Sequence, residues 1–530
     1  MLSRLAALRH RPVFLLGAAA FLTALLVQSG ELGSSDTQHR LQATHSFWTS
    51  EPAVLPNEYP EFGLIGSQGR IYGWYGMGQS LLMLPADVVG SYLERLPIFA
   101  GYRGNDPGVR DIVVSVTGNV LICVLAVLVC FRLLRLMDFT YGQATAGALG
   151  LLFATTFLHY TQNMVENNFV MLLTLVGFCF QYEWLRAGRP RALLYGSLAL
   201  GANLLTRLTT ALNLLAVGFF LLLVLLMEGA NWRQMWPRLR EYLKITAPCY
   251  AFFFAIDRLY QWYRFGSWFN TYLTVFGAQQ KQLDPSLPAN FPWSTPWRVG
   301  LLGPLITREK SIFLFDPLIA LALLLAALLW KRLAPNVRAW LVVTTLLVAA
   351  DIVFYARYVV WSGDFAWGDR YVSTAVELLA IMAIPMLLRH RGELRPLWRK
   401  VGVALIAVSV CVQLSALIFW YPLEIYQMNT LGPRFVIGLR FENIAAVALG
   451  KVQAWGLSNS WTWDDPWQRL RSTTPWILPF LLAKNPEVPR WLAHMLEVCW
   501  FVFLGGLMFL LTRLLCQIRK EPAGDENSLS

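Results

Sequence analysis

The first candidate for chemistry is a carboxylate just beyond the first apolar run of the chain. Asp36 lies in the segment 34–42, a few residues after the run 13–27. A carboxylate at the edge of a membrane could accept a proton from a hydroxyl or bind a divalent metal ion. The structural alternative is a helix cap, because Ser34, Ser35 and Asp36 all cap helices well and 37–48 has a helical pattern.

A second acidic residue, Glu166, lies in the short polar segment 159–168. An acidic side chain at the end of a membrane span is costly to desolvate, so it needs a hydrogen-bonding or charged partner or contact with water. If Glu166 converges with Asp36 and His159, the three side chains would suit Mg²⁺ or Mn²⁺. A solvated loop end is the alternative.

Three cations occupy comparable junctions between apolar and polar sequence. They are Arg207, Lys310 and Arg370. A guanidinium at a helix junction can bind a phosphate with two hydrogen bonds. The alternatives are snorkelling to lipid headgroups for Arg207, and an aromatic belt with a surface ion pair for Arg370. Together on one face, the three would form a site for an anionic headgroup.

The composition places these residues in a membrane protein. The 530 residues are 56% hydrophobic and 14% charged, with a mean hydropathy of +0.47. Soluble proteins carry charge on about a quarter of their residues. The net charge of +12 fits basic cytoplasmic loops, and no compact basic domain suggests nucleic-acid binding. The seven cysteines form no CxxC motif or Cys/His cluster, which argues against structural zinc and a disulfide framework.

The predicted fold is all-α and polytopic, with about twelve membrane-spanning helices. The apolar runs that predict them are 13–27, 112–131, 144–158, 169–182, 192–205, 208–227, 245–261, 312–330, 339–355, 372–388, 401–420 and 498–515. Short basic connections alternate with long mixed ones, so we expect both termini in the cytoplasm and the long loops outside.

The predicted organisation has four parts. Residues 1–420 form the transmembrane catalytic region, which includes a long first external loop at 29–110. Residues 421–490 form an external tryptophan-rich region, in which the tryptophans are expected to be interfacial anchors, with stacking on sugars as the alternative. Residues 491–516 hold the last span, and 517–530 form a disordered cytoplasmic tail.

These motifs, in this order, resemble the GT-C superfamily of membrane glycosyltransferases that use polyprenyl-phosphate-linked sugars. The branch is that of the bacterial relatives of protein O-mannosyltransferases and aminoarabinose transferases. The resemblance rests on the acid of segment 35–41, the glycine- and tyrosine-rich segment 69–85, the triplet 205–207 and the segment 361–371. It runs from about residue 11 to 388.

The resemblance implies an inverting sugar transfer on the external face of the bacterial inner membrane. Asp36 would be the general base that deprotonates an acceptor hydroxyl, and polyprenyl phosphate would leave. The donor phosphate would be bound by Arg207, Lys310 and Arg370, with Arg70 as a further candidate. Glu166, with or without a metal ion, would orient the phosphate. The pocket would be lined by Tyr72, Tyr75 and Gln79. The acceptor, which could be a glycan, a lipid or a protein, is not identified.

Two other classes of function remain open. A transporter or flippase for a lipid-linked substrate would need ionisable groups near the middle of the membrane, for which Asp351 and Glu377 are candidates. A non-catalytic scaffold that binds a glycolipid would not need Asp36. Clustering of the acids at the external ends of the helices would favour the enzyme.

Overall fold

The computed structural model describes residues 2–104, 107–363, 366–420, 423–424, 427–428, 432, 434–449 and 474–520. In that part of the chain the secondary structure is helical apart from one short hairpin. Six of the described helices are long and apolar enough to cross a membrane. They are Val109–Leu136, Asn167–Ala187, Leu208–Met227, Pro335–Tyr355, Pro396–Ala416 and Arg490–Lys520. The predicted class, an all-α polytopic membrane protein, is confirmed.

The first half of the chain contributes ten α-helices to the frame in its described residues. Its helices are α1 (Leu2–Leu26), α2 (Ser35–His45), α3 (Gly78–Glu94), α4 (Val109–Leu136), α5 (Tyr141–Ala154), α6 (Phe157–Gln162), α7 (Asn167–Ala187), α8 (Pro190–Thr206), α9 (Ala211–Met227) and α10 (Trp232–Phe265). Helix α7 packs against α4 and α8, and α8 also packs against α10. Pro190 starts α8, where its missing N–H costs nothing, and Gly188 ends α7 in the left-handed conformation.

The second half completes the frame. Its helices are α11 (Tyr272–Leu283), α12 (Trp297–Ile306), α13 (Ile312–Phe315), α14 (Leu318–Leu329), α15 (Pro335–Tyr355), α16 (Ser373–Ala380), α17 (Ala383–Arg389), α18 (Pro396–Ala416), α19 (Val436–Ala448), α20 (Leu478–Lys484) and α21 (Arg490–Lys520). Helix α15 packs against α9, and α21 returns to α1. The ends of the chain therefore lie together in the frame.

The long first loop is itself folded. It contains α2, α3 and an antiparallel hairpin of β1 (Gly63–Ile65) and β2 (Ile71–Gly73), in which Leu64 pairs with Tyr72. Helix α2 packs on α3 and α3 packs on α4. The loop is therefore anchored to the frame by two successive helix contacts.

Several predicted spans are interrupted in the structure. Run 144–158 is split between α5 and α6, run 312–330 between α13 and α14, and run 372–388 between α16 and α17. The first break is stabilised by Asp316, which accepts hydrogen bonds from the backbone N–H (2.7 Å) and the hydroxyl (3.2 Å) of Thr156. Irregular backbone at membrane depth is tolerated where protein groups satisfy it in this way.

The tryptophan-rich region is described only in part. Trp455, Trp461, Trp463 and Trp467 lie outside the described residues. Trp476 is fully buried, and its backbone N–H donates to the carbonyl of Ile418 at 2.9 Å just beyond α18. This tryptophan therefore packs inside the protein instead of facing lipid. Of the predicted tail, residues 517–520 belong to α21, and 521–530 lie outside the described residues.

Candidate active site

Asp36 lies in the first turn of α2, and its neighbour Ser34 caps that helix. The Ser34 hydroxyl accepts a hydrogen bond from the backbone N–H of Thr37 at 3.3 Å. The capping role suggested for this segment therefore belongs to Ser34, and the Asp36 carboxylate makes other contacts. Its Oδ1 accepts a hydrogen bond from the Tyr75 hydroxyl at 2.7 Å, and its Oδ2 accepts one from Arg370 Nη1 at 2.7 Å.

Glu166 is the second carboxylate of the site, and it bridges two arginines. Arg40 Nη2 donates to Glu166 Oε2 at 2.7 Å, and Arg207 donates to Glu166 Oε1. Arg40 follows Asp36 by one helical turn on α2, so both residues face the same way. One short helix therefore contributes a carboxylate and a guanidinium to the same cluster.

The ion pairs of the cluster contain more positive than negative groups. Two carboxylates, Asp36 and Glu166, contact the three guanidinium groups of Arg40, Arg207 and Arg370. The carboxyl group of Asp351 also lines the pocket beside Arg207, but it forms no ion pair there within the described residues. Within the described residues, the buried N–H groups of Arg40 Nη1 and Arg370 Nε have no hydrogen-bond acceptor. Buried donors of this kind are costly unless they are paired. An anion such as a phosphate oxygen would satisfy both the charge and the donors.

Aromatic rings hold the arginines in place. The Tyr371 ring lies 5.0 Å from the Arg207 guanidinium and 5.3 Å from that of Arg370. The Arg40 guanidinium lies 4.2 Å from the centre of the Tyr75 ring. Cation–π contacts at these distances favour the charged groups and restrict their rotation.

The positive surroundings determine the ionisation of both carboxylates. Burial alone would raise the pKa of Asp36, but the charges of Arg370 and Arg40 and the Tyr75 hydrogen bond outweigh burial and move the pKa below its usual range. Burial likewise opposes ionisation of Glu166, and Arg207 and Arg40 lower its pKa. Both groups are therefore carboxylates at neutral pH.

The low pKa of Asp36 gives a testable pH dependence. A carboxyl group with a depressed pKa in the folded protein stabilises the fold above its unfolded pKa, about 3.9, and loses that contribution as the pH falls further. We expect the difference in unfolding temperature between the wild type and Asp36→Asn to be constant from about pH 8 to 5, and to shrink only below about pH 4. Thermal unfolding in detergent across this range measures it. A difference that already shrinks near pH 6 would contradict the assignment.

The glycine-rich segment places Tyr75 against Asp36. Arg264 of α10 donates to the carbonyl oxygens of Gly73 (2.6 Å) and Tyr75 (3.0 Å). Gly76 packs so closely on the end of α8 that a Cβ atom there would meet the backbone of Thr206. Gly76 thus permits the close approach of two chain segments.

A side chain at position 76 should therefore push the segment away from α8. We expect Gly76→Ala to cost about 1–3 kcal/mol of stability, the usual effect of overpacking, and to lower any activity that depends on Tyr75. Gly101→Ala is the matched control, since a Cβ atom there meets no other atom within 4 Å. Thermal unfolding of both variants tests this expectation, which fails if the two variants are equally stable.

Lys310 and Gln79 hold loops of the site. Lys310 Nζ donates to the carbonyl oxygens of Ala366 (2.6 Å) and Gly368 (3.2 Å), which lie just before Arg370. Gln79 is buried, and its amide donates to the carbonyl of Met164 at 2.8 Å. Both side chains thus fix segments from which the cluster is built.

His159 has a separate environment. It is buried, its ring lies beside those of Tyr160 and Trp367, and its Nε2 is 3.4 Å from the Asn163 amide. Burial, together with the nearby charge of Arg440, lowers the pKa of His159 to about 3, so the imidazole is neutral. Across the described part of the chain, no three His, Cys, Asp or Glu side chains lie close enough to hold a metal ion.

Two cavities are lined by the hydrogen-bond partners of Asp36. A small pocket is lined by Glu166, Arg207, Arg370 and Tyr371, among others. A larger cleft of about 650 Å³ lies on the Tyr75 side and is also lined by Arg70 and Tyr72. Asp36 is thus hydrogen-bonded to Arg370, which lines the small pocket, and to Tyr75, which lines the cleft. We call the small pocket the cationic pocket, because Arg207 and Arg370 line it.

The predicted site residues are therefore distributed over three places. The cluster itself holds Asp36, Glu166, Arg207 and Arg370, with Tyr75 in contact. The cleft holds Arg70 and Tyr72, while Lys310, Gln79 and His159 lie in the surrounding structure. Sequence reasoning gave no role to Arg40, Arg264 and Tyr371. The spacing of Arg40 from Asp36 on one helix face was the available signal for the first of these.

The two membrane acids weighed for a transport function differ in position. Glu377 accepts a hydrogen bond from the Thr156 hydroxyl at 3.0 Å, so it shares this donor with Asp316. Asp351 lines the small pocket together with Arg207. The acids nearest the arginine cluster, Asp36 and Glu166, lie outside the candidate spans.

Comparisons with known proteins give matches among solved structures only. No protein-family model matches the sequence, and no curated protein matches it. The structure of ArnT from Cupriavidus metallidurans bound to undecaprenyl phosphate matches 95% of this chain and 77% of its own, at 14% identity and a TM-score of 0.43. The archaeal oligosaccharyltransferase AglB from Archaeoglobus fulgidus, in complex with an inhibitory peptide and a dolichol-phosphate, matches 93% of this chain and 59% of its own, at 13% identity and a TM-score of 0.43.

Proposed function

We propose that this chain is a membrane glycosyltransferase that moves a sugar from a polyprenyl-phosphate carrier to an acceptor hydroxyl, with inversion at the anomeric carbon. The observation that carries the proposal is that Asp36 is hydrogen-bonded both to Arg370, which lines the cationic pocket, and to Tyr75, which lines the open cleft. Such an arrangement suits a reaction in which a hydroxyl loses a proton on one side while a phosphate leaves on the other.

The proposed step uses the residues of the cluster as follows. The acceptor hydroxyl approaches Asp36 from the cleft, where the Tyr75 hydroxyl now donates to Oδ1. The oxygen of the acceptor hydroxyl forms a bond to the anomeric carbon of the donor sugar, and the proton of that hydroxyl passes to Asp36. The bond from the anomeric carbon to the phosphate oxygen breaks. The electron pair stays on the phosphate, which gains negative charge. Arg370 and Arg207 line the pocket where that charge would develop, and preorganised donors lower the barrier.

A polyprenyl-phosphate donor fits the setting of the site. The arginine cluster forms where α2 and the segments before α7 and α16 meet, at the ends of the apolar frame. A phosphate bound there would leave a long apolar tail within the membrane. The resemblance of the sequence motifs to the GT-C superfamily supports the same donor class, and the external face follows from the expected orientation.

We assign no step to a metal ion. A divalent metal ion needs carboxylate oxygens that are free to coordinate it. The carboxylates of Asp36 and Glu166 form ion pairs with arginines. The His159 ring contacts the Asn163 amide, outside the cluster. The described donor set therefore does not fit Mg²⁺ or Mn²⁺, and activity should survive EDTA. Loss of activity in EDTA would show that the carboxylates rearrange around a metal ion.

The direct test is release of polyprenyl phosphate from a panel of polyprenyl-phosphate sugars. Membrane vesicles that contain the chain, together with their own acceptors, are compared with vesicles that lack it, with and without EDTA. Release that depends on the chain supports the proposal. If no donor in the panel gives release above the level of vesicles without the chain, the proposal is wrong.

Arg370→Ala should lower polyprenyl phosphate release by about 10²- to 10³-fold, the usual cost of removing one preorganised donor from a developing negative charge. Arg357→Ala is the matched control. Arg357 belongs to the same loop, but its guanidinium donates to the carbonyl of Trp293 at 3.0 Å. Unchanged release in Arg370→Ala would remove Arg370 from the phosphate site.

A further inference from the structure

Beside Asp36, the 650 Å³ cleft lies between the first loop and the end of α10. Its polar and aromatic lining includes Glu51, Arg70, Tyr72, Tyr75, Tyr260 and Tyr263. Its volume is in the range of pockets that bind small molecules. Arg207 and Arg370, which we assign to the phosphate, line the other pocket, so the cleft is available for a second ligand. Arg70, expected from the sequence to bind the phosphate, lines this cleft instead.

The tyrosines of the cleft are fixed by their own packing. The Tyr72 and Tyr263 rings meet edge to face, with centroids 5.8 Å apart. The Tyr260 ring lies 4.2 Å from the Arg264 guanidinium. Tyr72 is buried, whereas Tyr263 is 55% exposed and offers open ring surface. Rigid rings with a polar tip suit a ligand that has both apolar faces and hydroxyl groups, as a sugar ring does.

A peptide ligand fits the cleft less well. Peptides often bind by adding a strand to an open sheet edge. Here each strand of the hairpin is only three residues long. The backbone of Ile65 on β1 is bonded in both directions to the Gln279 side chain, at 3.0 and 2.6 Å. On β2, the carbonyl of Gly73 accepts from Arg264. A peptide strand would have to displace these side chains.

We propose that this cleft binds the acceptor, and that the acceptor hydroxyl belongs to a sugar residue of a glycan. This inference rests on the proposed function and adds the class of its second substrate. Tyr75 connects the cleft to the reaction centre, because its side chain lines the cleft and its hydroxyl donates a hydrogen bond to Asp36. Glu51 and Arg70 supply an acceptor and donors for further sugar hydroxyls.

The class of acceptor is tested by the linkage in the product. Membrane vesicles containing the chain receive the polyprenyl-phosphate sugar that passes the release test, now with a radiolabelled sugar. The expected product carries the label on a hydroxyl of another sugar, as shown by linkage analysis. Label that alkaline β-elimination releases from protein, or label attached to a lipid alcohol, would overturn the inference.

The place of binding is tested by blocking the cleft. Ser50 is exposed and lines the cleft, so Ser50→Cys can be labelled there with a bulky water-soluble maleimide. Labelled protein should incorporate sugar at least about tenfold more slowly while binding the donor as before. Labelled wild type and labelled Ser286→Cys, whose site lies on an exposed loop outside the cleft lining, are the controls. Normal incorporation by labelled Ser50→Cys would overturn the inference.

A milder change tests the aromatic wall. Tyr263→Ala removes the exposed ring and should slow incorporation roughly tenfold without changing donor binding. Tyr92→Ala removes a ring of similar exposure, 59%, outside the cleft lining and should have no effect. Equal rates in the two variants would count against a sugar stacked on Tyr263. If the wild type releases no polyprenyl phosphate at all, the proposed function fails instead, so the two failures are distinguishable.

Discussion

Asp36→Asn should lower the rate of sugar transfer by about 10²- to 10⁴-fold, the range of a lost general base, while donor binding is retained. The asparagine side chain has the same shape, and its carbonyl oxygen can still accept from Tyr75. It cannot take a proton, and it leaves the Arg370 guanidinium without its carboxylate partner. The loss should therefore appear in kcat, because the base acts only as the acceptor hydroxyl is deprotonated.

The measurement compares polyprenyl phosphate release by the wild type and Asp36→Asn, together with equilibrium binding of the donor. Asp284→Asn is the control, because Asp284 lies on an exposed loop where it accepts hydrogen bonds from Ser286. Donor binding by Asp36→Asn shows that the variant is folded. Equal turnover in the wild type and Asp36→Asn would remove Asp36 from the mechanism and with it the central assignment of the site.

The fold class could be predicted because the membrane imposes it. In the water-poor core of a membrane, backbone N–H and C=O groups can all be paired only in helices or closed barrels. The apolar runs here have the lengths of membrane-spanning helices. The ends and continuity of the helices could not be predicted from apolar content alone. The break between α5 and α6 depends on Asp316, which lies far along the chain and accepts from Thr156.

Residue type singled out part of the arginine and carboxylate cluster. An acid just after the first apolar run and an arginine at the start of a later span are unusual, and the structure brings Asp36 and Arg370 together in an ion pair. Their catalytic roles stay predictions. The role of Arg264 was not predictable. It sits in a helical run of aromatic residues, and only the folded chain brings it to the carbonyls of Gly73 and Tyr75.

The role of the glycines in segment 69–85 was not predicted from the sequence. In the structure, Gly76 and Gly78 are close to Thr206 of α8. Tyr75, which lies between β2 and these glycines, donates a hydrogen bond from its hydroxyl to Asp36. The glycines therefore act through packing, which sequence spacing cannot distinguish from ligand contact.

Glu166→Gln should destabilise the protein by about 3–5 kcal/mol, the usual cost of removing one partner from a buried ion pair. Glu166 is 4% exposed and holds both Arg40 and Arg207. Without its charge, the cluster has three guanidinium groups and one carboxylate, so the like charges repel one another in a poorly solvated site. The unfolding temperature in detergent should fall accordingly.

The control for this variant is Glu393→Gln. Glu393 pairs with Arg332 at 2.6 Å, but both side chains are largely exposed, and such pairs contribute only about 0–1 kcal/mol.

Donor binding separates the structural role of Glu166 from a role in phosphate binding. A bound phosphate supplies the missing negative charge, so a saturating polyprenyl-phosphate donor should raise the unfolding temperature of Glu166→Gln more than that of the wild type. If donor stabilises the two proteins equally, the phosphate does not bind beside Arg40 and Arg207, and the cationic pocket must serve another ligand.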